Sequence, residues 1–152
     1  MRLSAILRIS LPVVLSGLFL VGCGERMYAH YPDRKALEAA GPGARSWFPE
    51  LLPESAIQLE EWHDVDSNVV IGRFRFSKDE LASLRVALER RKRERGYWEV
   101  ELAMDEVSDW PECLSGRVNE VKIHRCGLEI YPLDGLVVVL DAEGPFAYFW
   151  TR

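Results

Sequence analysis

Polar and apolar side chains alternate along the middle of this chain at two distinct periods. Ile57, Leu59 and Glu61 take turns with polar neighbours, which predicts a strand to about His63. Val70, Gly72, Phe74 and Phe76 repeat that two-residue period. Asp64, Val65, Asp66, Ser67 and Asn68 lie between and favour a turn, so the two runs read as a hairpin. The period then lengthens. Leu81, Leu84 and Leu88, with Val86 nearby, make a stripe at helical spacing. Ser77 followed by Glu80 has the form of a capping box at its start. Arg90, Arg91, Lys92, Arg93 and Arg95 crowd its end, where cations suit the helix dipole, and Gly96 stops it. Residues 136–140 are a continuous β-forming run, residues 141–144 a turn, and residues 146–150 the return strand of a C-terminal hairpin.

Weaker patterns fill the gaps. Asp33 is a suitable N-cap for a short helix over 34–40, stopped by Gly41 and Pro42, with a turn over 41–43. Residues 47–53 are apolar but proline-rich and read as an extended segment wrapping the core. Residues 97–104, 120–126 and 128–131 are strand candidates, and residues 109–112 a loop. The sum is one α+β domain over residues 33–152: a small, mostly antiparallel sheet, one main helix and a C-terminal β-hairpin. Residues 24–32 lack a periodic apolar pattern, so residues 23–32 read as a tether.

The first residues have another logic. Arg2 and Arg8 precede a mostly apolar run over 9–21 that is short for a permanent membrane helix and ends in small residues. Leu20-Val21-Gly22-Cys23 resembles the lipobox of bacterial lipoproteins. The resemblance implies a signal peptide over 1–22, cleavage before Cys23, and a diacylglyceryl group on the Cys23 sulfur. Two or three acyl chains would hold the protein to a membrane where one alone binds marginally. Gly24 in place of Asp points, by the same resemblance, to the periplasmic face of the outer membrane if the host is Gram-negative. The alternative reading of residues 1–23 is an uncleaved anchor or an ordinary signal with a chance cysteine. Farther on, residues 52–57 through Phe74-Arg75-Phe76 are similar to a stretch of small bacterial lipoproteins, a likeness that implies no activity.

Charge narrows the choice of partner. The chain carries 19 basic and 24 acidic side chains, a net of −5. Loss of Arg2 and Arg8 with the signal takes the net to −7. That balance argues against nucleic acid, whose binding draws on phosphate neutralisation. The basic tract ending the main helix is the local exception, read either as a contact for anionic headgroups or an acidic partner, or as a solvated helix end. The composition, 48% hydrophobic and 28% charged, is that of a folded domain.

Chemistry-bearing motifs are sparse. With Cys23 lipidated, Cys113 and Cys126 remain, an even pair that in an exported protein suggests a disulfide; two buried thiols are the alternative. Asp64, Asp66 and Asn68 have the spacing that opens a calcium loop, but Val69 stands at its glycine position and Arg75 at its bidentate glutamate, so a hairpin turn accounts for them. His30, His63 and His124 lack metal-ligand spacing among themselves. There is no nucleophile elbow, phosphate loop, dinucleotide fingerprint or zinc-protease signature. The sequence therefore predicts no catalytic residue, metal or cofactor. Its expected role is a non-enzymatic protein-binding or structural envelope lipoprotein. The alternatives are an inhibitor or immunity-type lipoprotein that neutralises a toxin or hydrolase, and a hydrolase without a recognisable motif.

Overall fold

The computed structural model describes residues 26–93, 99–102 and 109–151. Its centre is a six-stranded antiparallel sheet in the order β1-β2-β3-β8-β7-β6. The strands are β1 (Arg26–Asp33), β2 (Ile57–Asp64), β3 (Val69–Arg75), β6 (Glu129–Pro132), β7 (Leu136–Asp141) and β8 (Phe146–Thr151). A second, two-stranded sheet pairs β4 (Glu99–Leu102) with β5 (Gly116–Asn119). The helices are α1 (Arg34–Ala39), α2 (Pro42–Ser46), the main helix α3 (Leu81–Arg91) and α4 (Glu120–Arg125).

Both faces of the large sheet are covered. On one, Leu84 and Leu88 of α3, Leu37 of α1, Phe48 and Leu52 pack on Leu59, Val70, Phe74, Val138, Leu140 and Phe149. On the other, Leu102, Val118, Ile123, Trp110 and Leu114 pack on Ile71, Ile130, Val137, Val139, Tyr148 and Trp150. The apolar run of β7 follows directly, because Val138 and Leu140 face one core while Val137 and Val139 face the other. A strand covered on both sides has no polar positions to alternate with.

The α+β class, the main helix, the β2–β3 hairpin and the C-terminal hairpin are as the residue pattern predicts. Asp33 caps α1, its Oδ1 accepting from the Ala36 amide at 2.7 Å. Three expectations are corrected. The described part of the expected tether, residues 26–32, forms with Asp33 the edge strand β1, paired with β2 from Arg26↔Asp64 to Asp33↔Ile57. Most of its side chains are exposed, so it carries no apolar period, and backbone pairing makes it a strand. Residues 120–126 are not a strand. Asn119 Oδ1 accepts from the Lys122 amide at 3.0 Å and starts the helix α4, which exposes Val121 and buries Ile123. Residues 42–46 form α2 with Pro42 in its first turn, where its missing N–H removes no helical bond.

The capping box is half made. Ser77 Oγ accepts from the Asp79 amide at 3.4 Å, while the Glu80 carboxylate turns away and accepts from the Ser55 amide at 3.0 Å and from the Ser55 hydroxyl. A 3-10 turn over Lys78–Glu80 therefore leads into α3 and is tied to the segment before β2. Helix α3 ends at Arg91, and Gly96 lies outside the described residues.

Candidate functional site

The sheet leaves β1 at its edge, and two aromatic contacts fix how that strand is presented. Tyr28 packs on Trp62 of β2 at 4.9 Å on one face, and Tyr31 meets Phe48 at 6.0 Å on the other. Met27 and Tyr28 nevertheless remain 49% and 55% exposed. The strand is thus anchored through β2 and offers its outer backbone and two large side chains outward. An edge of this kind can accept a further strand from a partner.

Behind that edge lies an acidic and basic pair that sequence periodicity cannot distinguish from core. Glu61 and His63 are two residues apart on β2 and so point to the same face. Both are buried, and Glu61 Oε2 lies 2.7 Å from His63 Nδ1. Trp47 stacks flat on the His63 ring, with centroids 4.1 Å apart and planes 11° apart. Burial pushes the Glu61 carboxyl above the ordinary glutamate range, with the His63 contact opposing. The signal available in the sequence was a glutamate and a histidine at core-facing strand positions, beside a tryptophan with no periodic assignment.

The hairpin turn after Asp64 is closed by the Asp64 side chain. Asp64 Oδ1 accepts from the amides of Asp66 at 2.9 Å and Ser67 at 3.0 Å. These bonds, Ser67 first, hold its carboxyl below the usual aspartate range. Asn68 then takes a left-handed φ of 61°. The Asp64, Asp66 and Asn68 spacing is therefore used by a turn, and no group of metal-ligating side chains gathers among the described residues. His30 is exposed on β1, and His124 is exposed on α4, 3.5 Å from Glu120. Neither joins His63.

A groove of about 630 Å³ lies between residues 46–51, the end of α3 and the β6–β7 turn. Its lining includes Trp47, Phe48 and Leu136, with Arg90, Arg91 and Arg93 on one wall. Arg91 Nη1 reaches Glu50 Oε2 at 2.6 Å, a pair open to solvent and hence weak. The Arg93 amide donates to the Pro132 carbonyl at 2.8 Å and fixes the end of α3 against β6. The basic tract noted in the sequence thus forms a groove wall as far as Arg93; Arg95 lies outside the described residues.

Cys113 is buried in a 3-10 turn over Glu112–Leu114, and Cys126 is exposed at the end of α4. Both are thiols here. Burial, with Cys126 adding to it, pushes the Cys113 thiol up to about 12. Cys23 lies outside the described residues. No described helix is long and apolar enough to cross a membrane.

The chain matches no curated protein and no solved structure. Residues 25–75, about a third of the chain, match a family described as the YbbD head domain. That span takes in β1, α1, α2, β2 and β3, and so contains the open edge, Trp47 and the Glu61–His63 pair.

Proposed function

We propose that this chain is a lipid-anchored, non-enzymatic protein-binding component of the bacterial cell envelope, held to a membrane through Cys23. The observation that carries the binding half of this reading is the open edge of the large sheet. β1 is eight residues long, pairs among the described residues with β2 alone, and exposes Met27 and Tyr28. A partner strand laid along it would gain backbone hydrogen bonds, while Tyr28 and Met27 would supply apolar contact. The anchoring half rests on Leu20-Val21-Gly22-Cys23 and the charged and apolar residues before it. In an exported protein the adjacent Cys113 and Cys126 thiols would be oxidised to a disulfide between α4 and the turn before β5.

Two measurements separate the halves. Palmitate labelling of the wild type and of Cys23→Ala tests the anchor, and label that persists on the variant removes it. Tyr28→Lys with Met27→Lys tests the edge, because charges there oppose strand addition. Loss of an envelope partner with the folded circular dichroism spectrum retained is the expected result. Retention of the same partner by the double variant refutes use of this edge.

A further inference from the structure

The start of β1 at Arg26 and the basic end of α3 fall at the same pole of the domain. β1 begins at Arg26, opposite Asp64, where β3 begins at Val69. β8 ends beside them, since Thr151 Oγ1 accepts from the Val70 amide at 2.9 Å. Across the sheet, Leu136 pairs with Thr151, and Pro132 pairs with Val137. The Arg93 amide bonds to that Pro132, which brings the end of α3 to this pole. The groove walled by Arg90, Arg91 and Arg93 lies here too, sharing Asn68, Thr151 and Leu136 with the end of the sheet.

Chain length then sets the distance to the bilayer. Only residues 24 and 25 separate Cys23 from Arg26. At about 3.3–3.6 Å per residue, that linker reaches roughly 11 Å at most. A lipid on Cys23 therefore keeps this pole, with its groove, within reach of the headgroups, and turns the far end of α3 and the β7–β8 turn away from the membrane.

We propose that the groove seats the headgroup of an anionic phospholipid in the bilayer that holds the Cys23 lipid, which fixes the orientation of the domain on the membrane. This rests on the anchoring reading above. Arg90 and Arg93 have no acidic partner among the described residues, and Arg91 has only the solvent-exposed Glu50, so a phosphate can take up all three. Trp47 gives the groove an amphipathic ring of the kind that favours the headgroup level. The three arginines outnumber the two acids of the lining, Glu50 and Asp134, in a protein that is acidic overall.

The test uses the mature lipidated protein in vesicles of phosphatidylcholine, with or without phosphatidylglycerol and with a headgroup-linked nitroxide quencher. A fluorescent amino acid is placed at Ser46, on the groove, or at Glu143, in the β7–β8 turn. Phosphatidylglycerol is expected to increase quenching at Ser46 and to leave Glu143 unchanged. Arg90→Glu with Arg93→Glu should lower the docked population by more than about fivefold per arginine, returning Ser46 to its value in phosphatidylcholine. Arg90→Gln with Arg93→Gln, both at exposed positions, should give an intermediate loss at an unchanged melting temperature. Quenching at Ser46 that is the same in both lipids, or that survives the double reversal, overturns the proposal. An intact mass without a diacylglyceryl group on Cys23 instead overturns the anchoring reading, and is measured first.

Discussion

Gly72 is the position in the large sheet where adding one carbon has the clearest consequence. It lies on β3 between Glu61 of β2 and Phe149 of β8. A Cβ there would come 2.7 Å from the Glu60 carbonyl oxygen and 2.9 Å from Phe149 Cε1, with Phe149 Cζ closer still. The Phe149 ring is fully buried and wedged between Phe48 at 5.5 Å and Phe74 at 6.3 Å. It cannot swing clear without disturbing both. The carbonyl belongs to the paired strand and cannot yield alone. Overpacking of this kind costs about 1–3 kcal/mol. The reduced freedom of the unfolded chain returns about 0.4–1 kcal/mol to an alanine variant. Gly72→Ala is therefore expected to lose about 1–2 kcal/mol and to melt lower by about 3–10 °C. Thermal unfolding by circular dichroism measures it. Phe149→Leu added to Gly72→Ala relieves the ring but not the carbonyl, so the double variant should lose less than the sum of the two single variants. A Gly72→Ala protein that melts at or above the wild type would show that this packing does not constrain β3.

Glu61→Gln keeps the shape of the buried pair and removes its charge. Burial raises the Glu61 carboxyl, so the native state holds that proton more tightly than the unfolded chain. The stability this gives is complete below the ordinary glutamate range and is lost as pH rises through the raised value. The melting temperature of Glu61→Gln relative to wild type should therefore be higher at pH 7 than at about pH 4; a difference that does not change with pH contradicts the assignment. Asp33→Ala removes the cap of α1 and should cost about 1 kcal/mol by denaturant titration. An unchanged midpoint would mean that the cap contributes nothing to the fold. Mass measurement after alkylation should find no free thiol at Cys113 or Cys126 in protein purified from the envelope. After reduction, exposed Cys126 should label before Cys113, which is buried with its thiol raised to about 12. Two labelled thiols without reduction would refute the bridge.

What could be read from the residues depended on whether a pattern was local. The β2–β3 hairpin was legible because alternation flanked an Asp and Asn turn, and Asp64 closes that turn with its own side chain. The C-terminal hairpin was legible from its β-forming runs, although two-sided burial of β7 erased their alternation. β1 was missed because an edge strand exposed on most positions leaves no apolar signature, and its pairing with residues 57–64 is a long-range fact. α4 was missed because Val121, Ile123 and Cys126 imitate a short strand, while the deciding group is the side chain of Asn119 just before them. At the candidate site, the arginines and Trp47 were visible singly. Their gathering into one groove depends on where α3 ends against β6, which no local pattern encodes.

Crosslinking in intact cells shows whether a protein partner lies along β1. A photoreactive amino acid is placed at His30, on the exposed edge strand, or at Glu143, in the turn at the far end of the sheet. One dominant protein adduct is expected from His30, absent from Glu143 and lost in the Tyr28→Lys, Met27→Lys background. Equal adducts from both positions, or none from His30, would contradict a protein-binding role for this edge.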